Sequence, residues 1–392
     1  MIIKKIKAKK FSLQDKKSIR FIFKTSNGKF KTKVNLYSDD LYNKEELDNE
    51  ISFVNKILNE KIKDIEINDF KDLKIIEDLI KKENPNIKTS TLLGIEECIL
   101  RAISKDQLWR YLDKSINQVP RPMGVIFGRS DIKQSCDFKQ ILLLSFQSAN
   151  FAKAIDANLR VHELLEREIK KYDKNFKGEI NFDGAFIANI SNYDILDILN
   201  RICKQVSTES KFELRIGVNF DADSYFKDGL YQYKNYSGAE KEKSLTKKDQ
   251  ITFITDLVNR YNLCYIEDPL EKTDFKGFNQ IKKKTSCLIC GNKLVNNNLD
   301  MLSLAIKSDS INTLLLGLNK LGSLLQAKSL IEEAKKNKIY VITETSHYET
   351  DDNFIVHFTI AFNLPVLKYG IYIKDKDKIE EIKKIEKLMK IK

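Results

Sequence analysis

Three places in the chain hold residues whose types and spacing could do chemistry. In NLCYIEDP (262–269) an apolar run closes on Glu267, and a carboxylate at the end of a buried strand can hold a cation or hand on a proton. In TLLLGLNKLGS (313–323) a strand-like run instead stops on Gly317, with Lys320 three residues on. A barrel enzyme keeps its working side chains at such strand ends, so a glycine there is either an ordinary bend or a missing group. The third place is Cys287-x-x-Cys290 in TSCLICG. That stretch reads as a strand, where residues three apart point to opposite faces, so a shared metal or a redox pair is not expected. The three histidines, His162, His347 and His357, show no zinc-type spacing.

The elements that must position these groups follow from composition and periodicity. The 392 residues allow two or three domains, or a small domain with a large barrel. Lys and Arg total 68 against 56 Asp and Glu, a net charge of +12. That balance suits nucleic acid or an anionic metabolite, but the charges are interspersed, which equally describes a Lys-rich solvated surface. The six cysteines lie mostly in apolar runs, as buried thiols of a reducing compartment do. No apolar run approaches the ~20 residues of a membrane span and no signal peptide opens the chain, so a soluble cytoplasmic protein is expected.

Residues 1–35 alternate in two period-2 segments around Asn27-Gly28, a hairpin signal. Helical patterns follow in ELDNEISFVNKILNEKI and at about 70–83 and 89–114, so residues 1–118 read as an α+β unit. From 119 to 392 strand and amphipathic helix repeat. The candidate strands are 121–128, 140–146, 179–186, 213–221, 263–269, 286–291, 312–317, 339–344 and 366–370. Units of this number and length predict a (β/α)₈ barrel, with chemistry at the C-terminal strand ends.

Around the IEDP anchor the whole chain resembles the enolase family. MIIKKIKAKKF looks like its opening strand, TSTLLGIEECI its "ANAILGVSLAV" helix, and RPMGVIFG its "PMMNIINGG". IGVNFDADSYFKDGLYQY, LLLGLNKLGSLLQA and YETDDNFIVHFTIAF are similar to later enolase segments, in the same order. The resemblance implies an irregular, TIM-like α/β barrel behind a smaller α+β N-terminal domain. It also implies Mg2+ on three strand-end carboxylates, a lysine base, an acid partner and a second lysine, and a homo-oligomer built on a dimer.

Carried over position by position, the family's site is incomplete. The metal carboxylates fall on Asn219, Glu267 and Asn292, of which only Glu267 is retained, and Lys293 follows Asn292. A glutamate with two amides is a poor Mg2+ site, so binding is expected to be weak or absent. Asp221 and Asp223 either compensate or are solvated loop acids. The base position is Gly317, which supplies no basic side chain. The acid partner corresponds to Asp183, one methylene shorter, and its supporting glutamate to Arg160, with inverted charge. Lys368 in VLKYG matches the second lysine. The phosphate-binding run maps onto Thr345-Ser346-His347 without its arginine, leaving Lys293, Ser346 and His347 as anion-binding candidates. The mobile N-terminal loop corresponds to Leu36-Tyr37-Ser38, before Asp39-Asp40.

The leading expectation is an enolase-like protein without phosphopyruvate hydratase activity, binding a small anionic metabolite or a partner, because base and metal ligands act as a unit. The alternatives are an enzyme of altered mechanism with Lys293 as a fixed cation beside Glu267, a weak glycolytic hydro-lyase on 2-phosphoglycerate and phosphoenolpyruvate, and a nucleic-acid binder on the basic surface.

Overall fold

In the computed structural model the described residues are 1–13, 16–35, 44–130, 134–148, 150–181, 183–345, 350–371 and 375–390. Leu36 to Asp40 and two of the anion-binding candidates, Ser346 and His347, lie outside them. The chain forms two compact units: Met1–Gln118 with Leu316–Ile331 and Ser346–Asn363, and Val119–Leu315 with Glu332–Thr345 and Leu364–Lys392.

The first unit opens with an antiparallel meander of β1 (Ile3–Leu13), β2 (Lys16–Thr25) and β3 (Gly28–Asn35), with Thr25 opposite Gly28 at the hairpin. Alternation buries one face: Ile6 and Ala8, then Ile19, Phe21 and Phe23, then Phe30 and Val34. The helix Thr89–Ser104 packs across β2 and β3 on that face. It can come so close because Gly94 has no side chain, and a Cβ there would lie 2.4 Å from the Phe21 ring and 2.8 Å from Val34 Cγ2. An aromatic ring in a packed core cannot yield cheaply. Gly94→Ala is therefore expected to destabilise this unit by ~1–3 kcal/mol despite alanine's better helix propensity, as read from urea unfolding.

The second unit is a closed eight-stranded barrel. Its strands are β4 (Arg121–Gly128), β5 (Gln140–Ser145), β6 (Leu214–Asn219), β10 (Tyr265–Glu267), β11 (Leu288–Cys290), β12 (Thr313–Leu316), β13 (Tyr340–Glu344) and β14 (Val366–Gly370). Between β6 and β10 a small separate sheet is formed by β7 (Phe226–Lys227), β8 (Leu230–Tyr233) and β9 (Lys243–Leu245). The barrel is irregular because β5 runs antiparallel to both its neighbours, β4 and β6. Its inner core is an apolar layer of Met123, Leu142, Leu144, Tyr265, Cys290, Leu315, Ile342 and Val366.

Helices around the barrel start where the sequence supplies a cap. Asn150 accepts from Lys153 N–H before Phe151–Tyr172, and Ser191, Thr246 and Asp274 serve the helices Asn192–Ser210, Lys247–Tyr261 and Phe275–Lys284. The described residues of the candidate strand at 179–186 form no strand. Gly184, at φ +75°, turns the chain back so that Asn181 N–H donates to Ala185 O, and only isolated pairings of Phe186 with Ile180 and Phe127 remain. A tight left-handed turn at glycine interrupts the apolar alternation that reads as a strand.

Candidate functional site

Strand periodicity builds the site. On several strands the inward residue two positions beyond the apolar layer belongs to a polar layer at the barrel's C-terminal end. Tyr265 leads to Glu267, Ile342 to Glu344 and Val366 to Lys368, while antiparallel β5 brings Gln140 two residues before Leu142. The registers level them: Glu267 lies opposite Asn219, Asn219 opposite Gln140, and Glu344 opposite Lys368. Gly317 follows β12 directly in extended backbone (φ −99°, ψ 109°) and carries no side chain, and Lys320 lies in the helical turn after it.

Glu267, wholly buried, is the hub. Its Oε1 accepts from Asn292 Nδ2 at 3.0 Å. Its Oε2 accepts from Lys368 Nζ and from the Tyr265 hydroxyl, each at 2.8 Å. Lys368 is equally buried, and its ammonium also lies 3.6 Å from Glu344 Oε2. Burial alone would lower the Lys368 pKa, but the charges of Glu267 and Glu344, the hydrogen bond to Glu267 and the nearby Asp183 hold it above the usual lysine range. A base must give up its proton near neutral pH, so Lys368 acts here as a fixed cation.

A second chain of bonds runs beside the hub. The Asp183 carboxylate accepts from Gln140 Nε2 at 2.7 Å, which turns the Gln140 carbonyl toward Asn219, whose Nδ2 donates to it at 3.2 Å. A carboxylate only accepts, so this network fixes both amide orientations. Asn219 Oδ1 is left buried with no partner among the described residues.

The third group lies apart from Glu267. Lys293 Nζ is 2.7 Å from Asp221 Oδ1 and 3.5 Å from Asp223 Oδ2, while Arg129 Nη2 donates to Asp221 Oδ2 at 2.9 Å. Burial would raise the Asp221 carboxyl, but Lys139, Lys293 and Arg129 hold it below its usual value. Between the groups sits Asp268, which accepts from the Lys293 backbone N–H at 3.0 Å. Burial, with the charge of Glu267 adding, pushes Asp268 up to about 8.

The sequence expectations can be placed on this geometry. Glu267, Asn292, Asn219 and Lys368 come together, and Asp183 joins them through Gln140. The fixed cation beside Glu267 is Lys368 rather than Lys293, because Lys293 is drawn to the two aspartates of the following loop. Asp221 and Asp223 are accordingly neutralised by cations. Arg160 is not beside Asp183: it is a half-exposed helix residue paired with Glu163 and Glu209. Gln140 holds the place assigned to it. Gln140, Tyr265 and Glu344 were missed, although the inward alternation of QILLLS and the acid closing IYVITE were both legible.

This donor set does not fit Mg2+. The ion needs near-octahedral oxygen ligands, mainly carboxylates. Here both oxygens of the one retained carboxylate already receive three protein donors, Asn292 presents its NH₂ to that carboxylate, and of the three positions only Asn219 keeps an acceptor, Oδ1, without a partner among the described residues. Among the described residues no three His, Cys, Asp or Glu side chains gather as a metal site would require. No helix among them is long and apolar enough to cross a membrane.

Residues 116–392 match the family described as "Enolase, C-terminal TIM barrel domain". The chain is 29% identical over 257 residues to an enolase of Methanosphaera stadtmanae, covering 64% of this chain and 61% of that one. It is 29% identical over 274 residues to an enolase of Archaeoglobus fulgidus, covering 69% and 66%. An enolase of Thermoplasma acidophilum is 27% identical over 307 residues, covering 78% and 75%. The match thus spans just under two thirds of the first two relatives' length.

Proposed function

The chain belongs to the enolase family, and from that premise we propose that it is a member without phosphopyruvate hydratase activity, whose barrel end is held together by protein donors instead of a metal. The observation that supports this most is the state of Glu267, whose two oxygens are taken by Asn292, Lys368 and Tyr265. Two further losses point the same way. Amides stand at Asn219 and Asn292, where the resemblance puts carboxylates, and Gly317 stands where it puts the base. These functions act as a unit on one developing charge, so losing base and metal together removes most of the transition-state stabilisation.

The inner groups do what a structural polar layer does. Lys368 neutralises Glu267 and Glu344, Tyr265 and Asn292 complete the Glu267 hydrogen bonds, and Gln140 ties Asp183 to Asn219. An altered mechanism built on Lys293 as the cation beside Glu267 finds no support in the geometry, since Lys293 turns to Asp221 and Asp223. The dimer-based homo-oligomer implied by the family belongs to the proposal and is checked by sedimentation.

The test is direct. Purified protein given 2-phosphoglycerate and Mg2+ should produce no enolpyruvate absorbance, and calorimetric titration with Mg2+ should give no saturable heat. Turnover of ordinary enzyme magnitude, ~10 s⁻¹, overturns the reading.

A further inference from the structure

The first unit contains a cavity of about 510 Å³ that the barrel chemistry does not use. It lies between the helix Leu73–Glu83, the start of the helix Thr89–Ser104 and the first turn of the helix Leu324–Lys336, and a cavity of this size is in the range that takes a small ligand. Ile87, Leu92 and Leu325 give it an apolar wall, with Glu77, Lys81 and Ser323 on the polar side.

Glu77 is the feature that needs an explanation. It is 3% exposed, and its Oε1 meets no hydrogen-bond donor among the described residues. Its Oε2 pairs with Lys81 at 3.3 Å, and the Lys81 side chain is 55% exposed. An exposed lysine at that distance is a weak partner. Behind Glu77 lies Glu96, fully buried, which accepts from Leu324 N–H at 2.7 Å on Oε2 while its Oε1 also meets no donor. Burial, against the Leu324 hydrogen bond and with Glu77 adding, raises the Glu96 carboxyl well above its usual value. Neighbouring buried carboxyls, each with an oxygen that meets no donor among the described residues, favour a cation beside them.

We propose that this cavity binds a guanidinium or ammonium group carried on a short aliphatic stem. The charged head pairs with Glu77 and satisfies its open oxygen, while the stem lies along Leu92 and Leu325. An anion would face the buried Glu77 carboxylate. A bare metal ion would want a third ligating side chain, and no such group of three exists among the described residues. Lys81 is the internal competitor for Glu77.

Calorimetric titration of the whole chain with n-butylguanidinium, n-butylammonium and a capped Gly-Arg-Gly peptide tests this. Saturable binding of at least one probe is expected. Glu77→Gln should weaken it by ~10-fold or more, and Lys81→Ala should tighten it several-fold by removing the competitor. Binding of the free amines indicates a small-molecule source and binding of the peptide alone a basic side chain of a partner; both support the site. If Glu77→Gln does not fold, the sign of the Lys81→Ala effect decides. No saturation by any probe up to ~50 mM, binding unmoved by Glu77→Gln, or binding weakened by Lys81→Ala overturns the proposal.

Discussion

Lys368→Met is expected to lower the unfolding free energy by ~3–5 kcal/mol, among the largest effects of any single substitution in the barrel. Methionine fills similar space, so the loss is electrostatic. Glu267 would remain wholly buried, facing Asn292 and Tyr265 but with no positive charge, and Glu344 would lose its neighbour as well. The desolvation of a carboxylate is then uncompensated. The double variant Glu267→Gln with Lys368→Met should recover most of the deficit, since an uncharged pair of similar volume no longer needs a counterion. The pH dependence has a definite sign. The folded value of Lys368 is raised, so its contribution is whole below the ordinary lysine pKa of about 10.4 and is lost only as pH climbs through the higher folded value. Urea unfolding at about pH 6 and about pH 9 should therefore show the same deficit. A single variant within ~1 kcal/mol of the parent would mean that the buried pair does not hold this end of the barrel.

The parts of the molecule legible in the sequence were those fixed by local patterns. Asn27-Gly28 set the hairpin, and the helical spacing at about 70–83 and 89–114 marked the helices Leu73–Glu83 and Thr89–Ser104. The segment 179–186 misled because alternating Ile180, Phe182 and Phe186 resemble a strand, while the turn at Gly184 depends on one backbone angle that the pattern does not encode. Within the site, the strand-end residues Glu267 and Lys368 could be found because period two and a flanking motif fix their register. Arg160 failed for the opposite reason: a helix presents a new face at every residue, so a small slip in register moves a side chain from the barrel to the surface. Gln140 was overlooked because β5 runs antiparallel, which brings the start of that strand to the end where the others finish. Lys293 illustrates a different limit. Its neighbour Asn292 donates to Glu267, but which of several acids a four-carbon stem reaches is decided by tertiary packing.

The double variant Asn219→Asp with Asn292→Asp is expected to make the stability of this barrel dependent on Mg2+, which the parent's should not be. In the parent, Asn292 Nδ2 donates to Glu267 and Asn219 Nδ2 to Gln140. Aspartates remove both donors and add two negative charges at the level of Glu267, where Lys368 is already paired. Each lost donor faces a buried acceptor, so with chelator present the combined cost is ~4 kcal/mol or more. Three carboxylates from three adjacent strands are also what a hard divalent cation requires, and free Mg2+ at ~100 times its dissociation constant would return ~2.7 kcal/mol. Thermal unfolding with chelator and with Mg2+ reads both effects at once. A parent protein that gains stability from Mg2+, or a double variant indifferent to it, would show that the amides at Asn219 and Asn292 are not what separates this chain from a metal site. Metal binding regained in this way should still bring no hydratase turnover, because Gly317 continues to offer no base, and adding the ion therefore tests the metal ligands separately from the missing lysine.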